Sequence, residues 1–360
     1  MNVAFVVHYY DSAEGTGGYV TELLPRVAHE HRVTLYAAGV KAPVPDGVEV
    51  VHVPALRGRA YSTILSFPLA YRAVRRKHDI VHAQGWVVPE ADVVTAHIVM
   101  AGWRKAVRDA GGATGIGERI FGGLVTRREA ALFRNRARTA IVPSRKARDE
   151  LAQFYGRTEH VYVIPHGFPP VTAARDRTAV RTVLKLPRDV FAALFVGDPR
   201  KGLPAALNAV AASKNAHLFV VSRSPRDHYM HLALEVGVAE RVHWIGGLED
   251  VAPAYAAADV LLHPTIYDSF GLVVAEAMAA GVPPIISRSA GITELIEDRE
   301  SGWLVNDGDI GEMSSALDTL AGDQQLLRAL ADGARRAAGT RTWDAVARDT
   351  LDLYERVRRL

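Results

Sequence analysis

The chain has 360 residues, enough for two domains at roughly 150 residues each. With 49% apolar and 23% charged residues, its composition excludes a disordered, collagenous or fibrous protein. It has no cysteine, which removes disulfide frameworks, Cys-ligated zinc, iron–sulfur clusters and thiol nucleophiles together and fits a reducing compartment. The net charge of +3 is unevenly spread: residues 1–180 carry 24 Lys and Arg against 16 Asp and Glu, and residues 181–360 carry 19 against 24.

The opening MNVAFVVHYY reads as a buried first strand, without the basic n-region and cleavage site of a signal peptide. No stretch reaches the roughly 18–20 apolar residues that span a bilayer, so a soluble, cytoplasmic protein is expected. A helix from about Gly18 to Glu30 follows, then strands at 33–38 and 48–53, and a helix around Tyr61–Arg76. Strands at 79–84 and 93–97 precede a long basic helical stretch through about 136. A strand at 139–144, a helix through Tyr155 and a strand at 161–166 close this half. The Pro169–Pro170 pair opens a polar segment that reads as a linker over 169–180. Alternation then restarts, with strands at 191–197, 216–222, 241–247, 259–264, 282–287 and 302–306 separated by helices. This pattern predicts two α/β domains of doubly wound parallel sheets, 1–168 and 181–341, facing each other across a cleft. A last helix over 342–360 would start with Thr342 as N-cap.

Three segments could carry chemistry. Glu14-Gly15-Thr16-Gly17-Gly18 lies between the first strand and helix, where glycines admit close approach of a ligand to helix N-terminal amides, although a plain tight turn reads equally well. It lacks the dinucleotide fingerprint. Phe195-Val-Gly-Asp-Pro-Arg-Lys-Gly202 places Arg200 and Lys201 near a helix N-terminus, a setting that suits a diphosphate. Third, Tyr267-Asp-Ser-Phe-Gly-Leu-Val-Val-Ala-Glu-Ala-Met-Ala-Ala-Gly-Val-Pro-Pro284 puts Asp268 in a loop and Glu276 inside an almost wholly apolar helix. A buried carboxylate there needs hydrogen-bond donors, and two ribose hydroxyls would supply them.

Asp268-x7-Glu276, with Ser-Phe-Gly-Leu inside and Glu-Ala-Met-Ala-Ala-Gly-Val-Pro following, resembles the E-x7-E signature of retaining GT-B glycosyltransferases of family 4. Val163-Ile-Pro-His-Gly-Phe, the Arg200-Lys201-Gly202 loop and Tyr255-x2-Ala258-Asp259-x4-Pro264 resemble further segments of that family in the same order. The resemblance implies a GT-B fold whose C-terminal helix crosses back to the first domain. It also implies a retaining, metal-independent transfer of a sugar from a UDP- or GDP-sugar to a hydroxyl of a glycan, lipid-linked or small-molecule acceptor, with no cofactor. By the same resemblance His97 and Asp268 would face the donor sugar as catalytic residues, and Glu276 would hold the ribose. Arg200, Lys201, Gly17, Gly18, Ser269, Phe270, Gly271 and Leu272 would bind the rest of the donor. This chain departs from the family pattern in having Asp268 where Glu is usual and Asp198 where Arg is common. A related nucleotide-sugar epimerase and a non-catalytic nucleotide-sugar-binding subunit are the alternatives.

Other motifs read as structural. Asp307-Gly-Asp309 precedes a helix and suits a turn with an N-cap, and His228-x-x-His231 has no third ligand in view. His166 and His263, at strand ends, suit satisfied structural histidines, and no G-x-S-x-G nucleophile elbow occurs. Arg104–Arg148 holds 12 basic and three acidic residues, with Ile116, Ile120, Phe121, Leu124 and Val125 among them. It reads either as a solvated helical face packed on the core or as a peripheral contact with the anionic inner face of a membrane. No nucleic-acid module is present.

Overall fold

The computed structural model describes residues 1–12, 15–56, 60–111, 116–135, 139–171 and 176–359. In chain order the elements are β1 (Asn2–Tyr10), α1 (Gly15–Glu30), β2 (Arg32–Val40), β3 (Glu49–His52), α2 (Ala60–Val74), β4 (Ile80–Gln84) and β5 (Val93–Thr95). Next come α3 (Met100–Asp109), α4 (Ile116–Asn135), β6 (Thr139–Val142), α5 (Arg145–Tyr155), β7 (Val161–Val163) and α6 (Arg177–Val183). There follow β8 (Ala192–Val196), α7 (Leu203–Ala212), β9 (His217–Val221), α8 (Asp227–Glu235), β10 (Val242–Gly246), α9 (Ala252–Ala257) and β11 (Val260–His263). The last elements are α10 (Leu272–Ala279), β12 (Pro284–Ser287), β13 (Trp303–Val305), α11 (Ile310–Gly322), α12 (Gln324–Ala338) and α13 (Trp343–Arg358).

The chain divides into two compact units, Met1–Gly167 with Trp343–Leu360 and Phe168–Thr342. In the first, seven strands run in the order β3-β2-β1-β4-β5-β6-β7, and every pair is parallel. Val3 to Val7 are all buried, the continuous apolar run expected of a strand covered by helices on both faces. α13 lies against α1 in this unit. It is pinned by His82, fully buried on β4, whose Nδ1 meets the Tyr354 hydroxyl at 2.6 Å while Nε2 meets Thr95 Oγ1 at 2.7 Å. Gly167 touches the start of α13 so closely that a Cβ would lie 2.6 Å from the Trp343 nitrogen.

The second unit is a six-stranded sheet in the order β10-β9-β8-β11-β12-β13, again parallel throughout. One face is built around Leu194, Phe219, Leu261 and α10, the other around Phe195, Leu207, Leu262 and Met313. Residues 177–180, read from sequence as linker, form the first turn of α6, capped by Asp176. The buried Arg181 anchors this helix by donating to the carbonyls of Ala257, Arg188 and Val190 and to Asp259. Residues 172–175 of that segment lie outside the described residues.

Two local expectations are corrected. α1 begins at Gly15, so Gly17 and Gly18 belong to its first turn rather than to a preceding loop; Glu14 lies outside the described residues. Thr342, which pairs with Phe168 in an isolated bridge, stands immediately before α13, at the N-cap position expected of it. Finally, the basic stretch is no single helical face: α3, α4, β6 and the start of α5 share it, with Val125 buried while Ile120 and Leu124 are exposed.

Candidate active site

In a doubly wound sheet, ligands bind beyond the carboxyl ends of the strands where the winding reverses. In the second unit that place lies between β8 and β11. β8 runs out through Gly197 into a short 3-10 turn, Pro199–Lys201, capped by the Asp198 side chain. Gly202 then takes φ +144°, and a Cβ there would lie 2.1 Å from the Pro264 carbonyl oxygen, so only glycine lets the two loops touch. The Ile266 amide donates to the Lys201 carbonyl at 3.2 Å, a second tie between the same loops.

That fastening sets the charges. Lys201 Nζ lies 3.4 Å from Asp268 Oδ2, and His263 Nε2 lies 3.5 Å from the same oxygen, while the Phe270 amide donates to Oδ1 at 3.3 Å. Burial pushes the Asp268 carboxyl up, but Lys201, His263 and the Phe270 N–H outweigh it and hold the group well below the usual carboxylate range. Asp268 is thus a fixed anion beside a half-exposed cation.

Gly271 at φ +115° starts α10 without a side-chain cap, leaving the first amides of a buried helix without a side-chain acceptor among the described residues. Glu276 sits on this helix among Ala275, Ala277 and Met278, all buried. Burial raises its carboxyl, and the Tyr255 hydroxyl, donating to Oε2 at 2.7 Å, offsets part of that rise. Tyr255 itself is pushed well above its ordinary value by burial and by the neighbouring Glu276.

The remaining residues read as donor ligands are placed differently. The Arg200 guanidinium forks onto Asp198, with Nε 3.1 Å from Oδ2 and one terminal nitrogen 2.7 Å from the same oxygen. Burial raises Asp198, but these bonds to Arg200 outweigh it and its carboxyl ends below the usual range. Phe270 is 2% exposed and belongs to the core, its amide bonded to Asp268 and its carbonyl to Ile292. Ser269 is buried in the same loop.

In the first unit the winding reverses between β1 and β4. A cavity of about 320 Å³ lies there, lined among others by His8, Thr16, Gln84, Trp86, His97 and Glu129. His97 Nε2 bonds Gln84 Oε1 at 2.9 Å; because that oxygen can only accept, Nε2 carries the proton. Burial lowers His97 to about 3 and His8 to about 4, so both are neutral at pH 7. Thr16 of α1 lines this cavity, while a Cβ on the neighbouring Gly17 would lie 2.0 Å from the Asp11 carbonyl oxygen, so its close approach is to the chain's own backbone. The Gly18 carbonyl accepts from the Thr21 hydroxyl.

Glu129, one of the three acids in the basic segment, is 1% exposed. It accepts from the Met100 amide at 2.7 Å and from the Tyr155 hydroxyl. Burial raises it to about 7 despite those bonds. The one sequence signal was its place in a helix that must cover a sheet. Asp309 caps α11 through the Glu312 amide and Asp307 accepts from the Ser289 amide, both structural roles. His166 stacks on Trp343 and packs against Tyr19.

Comparison with known proteins places both units. Residues 13–171 match the family model described as Glycosyltransferase Family 4, and residues 190–323 match that described as Glycosyl transferases group 1. The D-inositol 3-phosphate glycosyltransferase of Xylanimonas cellulosilytica is 30% identical over 95% of this chain and 91% of its own. The MMP alpha-(1->4)-mannosyltransferase of Mycolicibacterium hassiacum is 32% identical, over 60% of this chain and 53% of that protein. Among solved structures, WaaG, a glycosyltransferase involved in lipopolysaccharide biosynthesis, superposes with a TM-score of 0.81 at 23% identity, covering 98% of this chain and 99% of that one. Anabaena HepE, in complex with UDP and glucose, gives 0.79 at 18% identity, covering 99% and 100%. With two parallel Rossmann-like sheets, family models over most of its length and relatives matched nearly end to end, the chain belongs to the family 4, group 1 glycosyltransferases of GT-B fold.

Proposed function

We propose that the protein transfers a hexose-type sugar from a UDP- or GDP-sugar to a hydroxyl acceptor, with retention at the anomeric carbon and without a metal ion. The observation that carries this reading is the Lys201–Asp268–His263 cluster beside the uncapped start of α10. A cation and helix N-terminal amides aimed at one place stabilise the negative charge that develops on a departing diphosphate, which is the task a metal performs elsewhere. In this reading Lys201, Gly271 and Leu272 take the diphosphate, Glu276 accepts from the ribose hydroxyls, and Asp268 accepts from the sugar. Asp268 is an acceptor only, since its carboxyl stays ionised, and it is suited to orienting hydroxyls. Arg200 joins the diphosphate on leaving Asp198. The first unit, with neutral His97, serves the sugar and the acceptor. HepE structures with UDP, glucose and UDP-glucose favour a UDP-sugar, and relatives named for D-inositol 3-phosphate favour a cyclitol or sugar ring as acceptor.

The test is thermal stabilisation of the purified protein by UDP, GDP, ADP, dTDP and their sugar conjugates, with and without EDTA. A ligand that binds only the native state raises the melting temperature. UDP or GDP should stabilise selectively and indifferently to EDTA, and the anomeric proton coupling of the product should match that of the donor. An inverted product, or stabilisation that EDTA abolishes, would refute retention or metal independence respectively. Conversion of the donor sugar to its epimer without acceptor would point to an epimerase instead.

A further inference from the structure

The cavity at the β1/β4 reversal has a definite chemistry. Its apolar wall includes Val7, Val87 and Ile98, and the half-buried Trp86 presents an aromatic ring to it. Two polar groups on it are spare: Gln84, 3% exposed, has an Nε2 with no hydrogen-bond partner among the described residues, and the same holds for His8 Nε2. The wall also carries the Glu129 carboxyl, and the described lining includes neither lysine nor arginine. Its two histidines are neutral, His8 because burial between Phe67 and Trp86 desolvates it.

A cavity of about 320 Å³ is at the small end of ligand sites and takes one ring rather than an extended chain. An aromatic face with a spare donor and a carboxyl on the rim suits alternating C–H and O–H groups. An anion would find no cation among the described lining residues and would leave its charge unpaired in a partly buried site, beside the Glu129 carboxyl. We infer that this cavity takes the acceptor as a small uncharged polyhydroxylated ring, a monosaccharide or cyclitol unit, with Gln84 donating to one hydroxyl, Glu129 accepting from another and Trp86 covering the ring face. This rests on the reading of the first unit as the acceptor side and adds to it the charge state of what is accepted.

The experiment uses the whole protein with a donor panel of UDP-glucose, UDP-N-acetylglucosamine and GDP-mannose, and reads transfer by mass spectrometry. Acceptors come in pairs: methyl glucoside against glucose 6-phosphate, methyl mannoside against mannose 6-phosphate, and myo-inositol against inositol 1-phosphate. The neutral member should be used with a kcat/KM at least about tenfold higher, and Glu129→Gln should narrow that ratio. Trp86→Ala should raise KM for the neutral acceptor while nucleotide-induced stabilisation stays as in the parent. Preference for the phosphorylated members, or no transfer to any neutral one, overturns the inference. Failure of every nucleotide to stabilise the protein would instead overturn the donor reading, so the two fail separately.

Discussion

Tyr255→Phe isolates the group that keeps Glu276 usable. The hydroxyl donates to Glu276 Oε2 at 2.7 Å and also lies 3.1 Å from the Val273 carbonyl, inside a helix packing that leaves the carboxyl little water. Hydrogen bonds to charged groups are worth about 1.5–3 kcal/mol. Removing this one therefore raises the Glu276 carboxyl further above its ordinary value, because burial already pushes it that way and Tyr255 is what opposes the rise. Glu276 must be ionised to accept two ribose hydroxyls, so nucleotide affinity should fall by about tenfold or more, at about 1.4 kcal/mol per tenfold. The loss should be largest in mildly acid buffer and smaller in mildly alkaline buffer, where the carboxyl ionises regardless. Stability has the opposite dependence. A carboxyl with a raised folded-state value stabilises fully below its unfolded value, and that contribution is lost as pH rises through the folded value. The variant should therefore lose more stability than the parent between mildly acid and mildly alkaline pH. Isothermal titration with UDP or GDP across that range reads the first effect and urea unfolding the second. Unchanged nucleotide affinity at every pH would refute the reasoning, because Glu276 would then not touch the nucleotide.

Lys201→Ala should weaken nucleotide diphosphate binding by at least about tenfold and reduce its salt dependence, as titration at two ionic strengths would show. Asp198→Asn should free Arg200 from its fork and tighten diphosphate binding several-fold, by about 0.5–1 kcal/mol for an exposed pair, and weaker binding would mean that Asp198 positions Arg200 for the ligand. Gly202→Ala meets both a positive φ and the Pro264 carbonyl, so urea unfolding should show a loss of about 3 kcal/mol or more. Glu129 is held at about 7 in the folded chain against an ordinary 4.5, so stability should fall as pH rises from about 4.5 to 7, by on the order of 3 kcal/mol. Glu129→Gln should flatten that slope, and an unchanged slope would show that another group titrates.

Much of the architecture was legible because apolar runs such as Val3–Val7 and Val260–Leu262 fit strands buried on both faces, and their alternation with helices argues for parallel winding. The Asp268–Glu276 segment was legible because a carboxylate in an apolar helix needs a reason. Side-chain partners across the fold were not. Tyr255 stands 21 positions before Glu276, and only the packing of α9 and α10 near one another puts its hydroxyl on that carboxyl. Arg200 was read as a diphosphate ligand from its place before a helix. Two residues earlier, however, an Asp that caps the turn also reaches its guanidinium, a local competition that spacing alone cannot rank. Glu129 was hidden by charge counting, since a tally over Arg104–Arg148 treats a buried acid like an exposed one. His263, read as structural, stands against the Asp268 carboxylate.

A structure of the protein with bound UDP or GDP tests the central claim most directly. The account predicts ribose hydroxyls within hydrogen-bond distance of Glu276 and diphosphate oxygens within reach of Lys201 Nζ and the Gly271 and Leu272 amides. A nucleotide seated away from Glu276 and Lys201, or one bridged to the protein through a metal ion, would contradict it.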